Sequence, residues 1–145
     1  MKSTTVARQL SCGTLVLNSK GELLLCHVTG TANWDIPKGL QDPGEEPLQA
    51  ARRELFEEAG LSFDEELFQD LGAFDYRPDK RLHLFKVEVG DQLCSLDHLQ
   101  CTSFFPHHVT GEMTPEADGF RWASRDEVRT LCWPRMAQRL MSLDW

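Results

Sequence analysis

Apolar residues recur along this chain with two periods, and the switches between them lay out the predicted elements. From Val6 to Leu17 small and β-branched residues dominate, Asn18-Ser19-Lys20-Gly21 carries turn chemistry, and Glu22-Leu23-Leu24-Leu25-Cys26-His27 is strand-like again. A strand, a turn and a second strand are predicted. Between Thr29 and Gly44 the breakers Gly30, Pro37, Gly39, Pro43 and Gly44 leave room only for a short strand around Trp34 to Ile36 in a long structured loop. A helical period then takes over. Pro47 suits a first turn, good helix formers run to Ala59, and Gly60 stops the helix. Its core-facing stripe is Leu48, Ala51, Leu55 and Ala59.

Leu67 to Phe74 and Leu82 to Val89 predict a hairpin turning at Arg77-Pro78-Asp79-Lys80. The segment from Gly90 to Gly119 keeps no period beyond a short strand at Cys101 to Phe105, and its composition fits a lid, a dimer contact or a surface excursion equally. Phe120-Arg121-Trp122-Ala123 predicts a last strand. Ser124 and Glu127 have capping-box spacing for a helix through Leu131, and Pro134 opens a final helical segment. With 145 residues and no repeat or linker, one domain over 1–145 is expected.

Composition narrows the function classes. No apolar run reaches the ~18 residues that span a bilayer, and Met1-Lys2-Ser3-Thr4-Thr5 lacks a signal-peptide core, so a cytoplasmic protein without membrane partners is expected. With 15 basic against 23 acidic residues the net charge is −8, which argues against nucleic acid as a partner. An anionic substrate then needs local help from a few cations or a bound metal. The five cysteines (Cys12, Cys26, Cys94, Cys101, Cys132) are widely spaced with no C-x-x-C pair, and read as buried free thiols. Cys101 with His107 and His108 is too loose a set to argue for a metal.

The chemistry concentrates on the first helix. At about 100° per residue, Glu54, Glu57 and Glu58 fall on one flank, away from the apolar stripe. A solvated acidic face is the ordinary explanation for three such glutamates. Clustered carboxylates otherwise raise one another's pKa unless a cation neutralises them, and hard oxygen donors suit Mg²⁺ or Mn²⁺. The flanking spacing decides between the two. Gly39, five residues, Glu45, seven residues, then Arg53-Glu54-Leu55-Phe56-Glu57-Glu58-Ala59-Gly60-Leu61 arises by chance on the order of 10⁻⁹ per starting position.

This segment resembles the defining box of the Nudix hydrolases, G-x5-E-x7-R-E-U-x-E-E-x-G-U with U aliphatic, and matches it without a departure. The resemblance implies an α/β fold, an αβα sandwich with a mixed β-sheet between helices. It implies that Glu54, Glu57 and Glu58, with the Gly39 carbonyl, hold Mg²⁺ or Mn²⁺, and that Glu45 and Arg53 tie the loop to the helix. It also implies hydrolysis of a nucleoside diphosphate linked to another moiety, by water attack on phosphorus. Glu116, six positions before Trp122, stands where several members carry a general base, with Glu112 as the fallback.

Trp34-Asp35-Ile36-Pro37-Lys38-Gly39 is similar to the box entry of diadenosine tetraphosphate hydrolases, which makes Lys38 a phosphate contact; Ser11-Cys12-Gly13 and Phe120-Arg121-Trp122 also look like that branch. Tyr76 stands near the place of a substrate tyrosine, slightly early. Arg77, Lys80 and Arg81 suit a polyphosphate chain, although hairpin tips are also basic for solubility alone. Pro78 lies near a marker proline of ADP-ribose hydrolases, and a turn explains it equally. Adenine could stack on Tyr76, Phe104 or Phe105, with core positions favoured for the two phenylalanines, and His27 reads first as a strand histidine with its own partner. The resemblance thus points to a small nucleotide substrate, a dinucleoside polyphosphate first. An RNA 5′ pyrophosphohydrolase, a nucleotide-sugar or ADP-ribose hydrolase, and a non-catalytic nucleotide sensor are the alternatives.

Overall fold

Ten residues, Gln9–Asn18, form the strand β1 on which the sheet is organised. The computed structural model describes residues 8–93 and 95–145. The chain start, Val6 and Ala7 of the first predicted strand, and Cys94 lie outside the described residues. β1 turns into β2 (Leu23–Val28) through the predicted turn, where the Asn18 side chain accepts hydrogen bonds from the amides of Lys20 and Glu22. The two strands pair only at Leu17 and Leu23 and then part. Into the gap run β3 (Trp34–Asp35), paired with β2, and β4 (Lys38–Leu40), paired with β1.

Helix α1 spans Pro47–Ala59, as predicted, and Gly60 ends it in the left-handed conformation at φ 72° with its amide bonded to the Phe56 carbonyl. After a 3₁₀ turn at Glu65–Leu67, β5 (Gln69–Arg77) and β6 (Lys80–Gly90) make the predicted hairpin, and β6 returns parallel to β1. The segment that follows differs from its reading. The strand expected over Cys101 to Phe105 is instead β7 (Phe104–Pro106), paired with β8 (Met113–Pro115) in a separate two-stranded ribbon. Thr102 explains the shift, because its amide is bound to the Glu57 carbonyl at 2.6 Å and ties this stretch to the end of α1 instead of to a strand. β9 (Ala117–Ala123) starts three residues earlier than predicted and pairs with β2; α2 (Arg125–Leu131) follows with the expected Ser124/Glu127 box, then α3 (Pro134–Met141).

Strand alternation sends side chains to two faces. Leu15, Leu17, Leu23, Leu25, Leu82 and Leu84 meet Val128, Met136 and Leu140 of α2 and α3. Val16, Leu24, Val87 and Val89 meet Leu55 and Ala59 of α1. The result is the mixed sheet between helices that the resemblance implies. Each fully buried leucine contributes about 1.5–3 kcal/mol of hydrophobic stabilisation, so the two cores fix α1 and the opening of β1 from β2 against one another. Cys12, Cys26, Cys101 and Cys132 are buried free thiols, as expected, and burial pushes Cys132 up to about 12. Among the described residues no helix is long and apolar enough to cross a membrane.

Candidate active site

The box loop reaches α1 through Arg53. Its Nε and Nη2 donate to the two carboxylate oxygens of Glu45 at 2.8 and 2.9 Å, Nη2 also donates to the Leu40 carbonyl, and Nη1 donates to Glu54 at 2.8 Å and Glu57 at 3.1 Å. The bond from Arg53 holds Glu45 below the usual carboxylate range. A planar donor fork explains why arginine stands here.

Glu54 is only 7% exposed, so it is no part of a solvated acidic face. β4 lies against it, and a β-carbon built on Gly39 would overlap its carboxylate, so only glycine lets the strand come this close. Glu58 accepts a hydrogen bond from the Lys38 amide at 2.7 Å. Burial pushes both carboxyls up, Glu58 well above its usual range; Arg53 opposes the shift at Glu54, and the Lys38 amide and ammonium oppose it at Glu58. The backbone positions of the three glutamates converge as helix geometry requires, but their tips take the nearest donors, with Glu57 turned to Arg53 and Glu58 to Lys38. Among the described residues no three His, Cys, Asp or Glu side chains form a ready-made metal set. Hard oxygen donors with pKa values raised by burial, beside a backbone that a β-carbon would block, nevertheless fit a divalent cation.

Gly39, Glu54 and Glu58 line a cavity of about 570 Å³. Lys38, Lys80 and Asp35 contribute to it from the β3–β6 region, and His27, Phe105 and Glu116 from the β2–β9 side. Asp35 is buried, with its Oδ2 3.4 Å from Lys38 Nζ and its Oδ1 accepting the Ile36 amide. A second cavity of about 490 Å³ shares Asp35, Lys38, Lys80 and Trp133 and continues past Tyr76, Arg77 and Arg135. Burial, then the charges of Lys38 and Arg77, lower the Lys80 pKa. Crowded cations of this kind are eased by an anion.

Most predicted site residues therefore meet. Glu116 is on the wall, its amide bonded to the Ser103 carbonyl and its carbonyl to the Thr29 amide. Glu112 stays in the β7–β8 ribbon, where its carbonyl accepts the His107 amide. Arg81 is drawn to Asp75 at 3.3 Å and lines neither cavity. Phe104 and Phe105 leave the core, against expectation: the ribbon lies outside the main sheet, so Phe104 is 49% exposed and Phe105 faces the cavity. Asp35 and Trp133 are lining residues that sequence reasoning missed. The Asp35 to Lys38 spacing was a signal for the first. Trp133 had none, because the bridge from Cys132 to Trp34 that brings it in is tertiary.

The Nudix domain model matches residues 7–143. The chain is 31% identical over 145 residues to a 17.7 kDa protein from the e-segB intergenic region of Enterobacteria phage T4, covering 94% of this chain and 95% of that protein. It is 35% identical over 118 residues to the RNA pyrophosphohydrolase of Yersinia enterocolitica, covering 77% of this chain and 67% of that one. Among solved structures it superposes on a binary complex of the Caenorhabditis elegans Ap4A hydrolase with a TM-score of 0.60, 22% identity, and coverage of 91% and 93%. The fold, the box and these matches place the chain in the Nudix family. It is a pyrophosphohydrolase, an enzyme acting on nucleotide diphosphate bonds.

Proposed function

We propose that the enzyme hydrolyses a dinucleoside polyphosphate such as diadenosine tetraphosphate with Mg²⁺ or Mn²⁺. One observation carries the reading: the buried carboxylate Glu54 and the half-buried Glu58 share a cavity with the crowded cations Lys38 and Lys80. Such a cavity suits a metal ion and a phosphate chain side by side. Members of the family generally use divalent metals such as Mg²⁺ or Mn²⁺. Here Glu54, Glu57, Glu58 and the Gly39 carbonyl would hold the ion, which supplies Lewis acidity at the phosphate and lowers the pKa of bound water.

The remaining work belongs to the chain itself. Arg53 orients Glu54 and Glu57, and Glu45 orients Arg53. Lys38 and Lys80 bind phosphate oxygens, and Arg77 extends the contact along the second cavity. Tyr76 or Trp133 offers a ring for a nucleobase. A carboxylate oxygen of Glu116 takes the proton of the attacking water, because it lies on the wall and carries no ion pair among the described contacts.

The 35% identity to an RNA pyrophosphohydrolase favours a second reading, in which the phosphate chain is the 5′ end of an RNA. The net charge of −8 weighs against it, since RNA affinity draws on many basic contacts. Turnover of diadenosine tetraphosphate and of a triphosphorylated RNA oligonucleotide, each with Mg²⁺, separates the two. Higher kcat/KM on the dinucleotide is expected, a strong preference for RNA reverses the order, and tight binding of nucleotides without turnover makes the protein a sensor.

A further inference from the structure

One histidine on the cavity wall has no part in the reaction as described above. His27, on β2, lines the cavity with its side chain 26% exposed, and its Nδ1 is hydrogen-bonded to the Asp118 carboxylate of β9. The sheet itself builds this pair. β2 and β9 are in register at Cys26 with Phe120 and at Val28 with Ala117, so two residues, Asp118 and Gly119, stand opposite His27 alone. Such a bulge re-aims a side chain, and bulges gather beside functional sites. On its other strand neighbour His27 faces Trp34, with ring centroids 5.0 Å apart at 63°, and the Arg121 guanidinium lies 5.8 Å from the Trp34 ring centre.

An ionised carboxylate only accepts hydrogen bonds, so Asp118 keeps a proton on His27 Nδ1 and leaves Nε2 as the nitrogen for other partners. We propose that His27 is a phosphate-contacting residue, donating from Nε2 to a phosphate oxygen of the substrate, and that Asp118 is its positioning residue. The proposal rests on the polyphosphate reading of this cavity. It adds a hydrogen-bond donor from the β2–β9 side to Lys38 and Lys80, so that the phosphate chain is held from both sides of the carboxylates. Charged groups that share the cavity with His27 are Asp35, Asp42, Glu54, Glu58, Glu116, Lys38 and Lys80; Asp118 is bonded to it, and Arg121 lies on the Trp34 ring that His27 faces. With Nδ1 bonded to Asp118, donation from Nε2 uses both ring nitrogens as donors.

The test uses the intact protein and two probes. In imidazole NMR, inorganic tripolyphosphate should move the His27 resonances and raise the pH at which they titrate, and Asp118→Asn should alter the tautomer signature. In kinetics with Mg²⁺ and diadenosine tetraphosphate, His27→Ala should lower kcat/KM by about 10- to 100-fold, mostly through KM. His27→Gln, which keeps a donor, should recover part of the loss, and the loss in Asp118→Asn should shrink at low pH. A His27→Ala enzyme within twofold of wild type, or His27 resonances unmoved at tripolyphosphate concentrations that shift the Lys38 signals, overturns the proposal. If wild type cleaves no nucleotide, the functional reading fails by itself, and the NMR titration still decides the contact.

Discussion

Gly39 and Glu54 approach so closely that a β-carbon on the first would occupy the carboxylate of the second. The pairing of Cys12 with Gly39 holds β4 in place from one side, and the packing of Leu55 and Ala59 holds α1 from the other, so neither backbone yields easily. Gly39→Ala should therefore displace the Glu54 side chain rather than unfold the protein. We expect turnover to fall at least ~100-fold and Mn²⁺ affinity, read by electron paramagnetic resonance, to fall with it, while the Tm moves by a few degrees. Unchanged Mn²⁺ binding would remove Glu54 from the metal site.

Arg53 makes bonds to Glu45, Glu54, Glu57 and the Leu40 carbonyl at once. Lysine preserves the charge but loses the fork. Arg53→Lys should cost about 1–3 kcal/mol in chemical denaturation and should lower kcat as well. An equal loss of stability with full kcat would make the network purely structural.

Glu58 links stability to pH and metal. Its folded pKa is raised by burial, so its contribution is fully present below pH 4.5, the ordinary value, and is lost as pH rises through the higher folded value. Without divalent ions the protein should thus lose stability as pH climbs from mildly acid to neutral, and added Mg²⁺ should restore it. Glu58→Gln should flatten that profile in metal-free buffer and abolish the rescue by Mg²⁺. Urea denaturation across pH, with and without Mg²⁺, gives the answer.

Glu57 and Glu116 separate metal binding from proton transfer. Glu57→Gln should nearly abolish turnover, whereas Glu116→Gln should slow it by about 10²- to 10⁴-fold with Mn²⁺ affinity kept. Both should fold, since Glu57 is on the surface of α1 and Glu116 is held by backbone bonds. Wild-type rates in Glu57→Gln would refute the metal assignment.

The parts of the fold legible in the sequence were those set by short-range rules. α1 runs from Pro47 to Ala59 because proline opens it and glycine closes it, and both act within a turn. The Ser124/Glu127 box did the same for α2. The segment from Gly90 to Gly119 failed because its anchors are distant: Thr102 bonds to Glu57, and Glu116 bonds to Ser103 and Thr29. Nothing within a window of ten residues reports such partners. Phe104 and Phe105 lie outside the core for a related reason, since hydrophobicity alone does not say whether a strand joins the covered sheet or an uncovered ribbon.

The sequence by itself determined the chemistry: one helix flank with three carboxylates, an arginine within four residues of two of them, and the glycine that must meet the first, all within one loop and helix whose geometry is local. Only the tertiary structure decided what surrounds that chemistry. It buried Glu54 under β4, parted β1 from β2 to open the cavity, carried Lys80, Glu116 and Trp133 to its walls, and set Asp118 behind His27 through a bulge. Helix periodicity fixes neighbours three and four residues apart. Sheet register and packing fix neighbours a hundred residues apart, and those arise only when the cores on both faces close together.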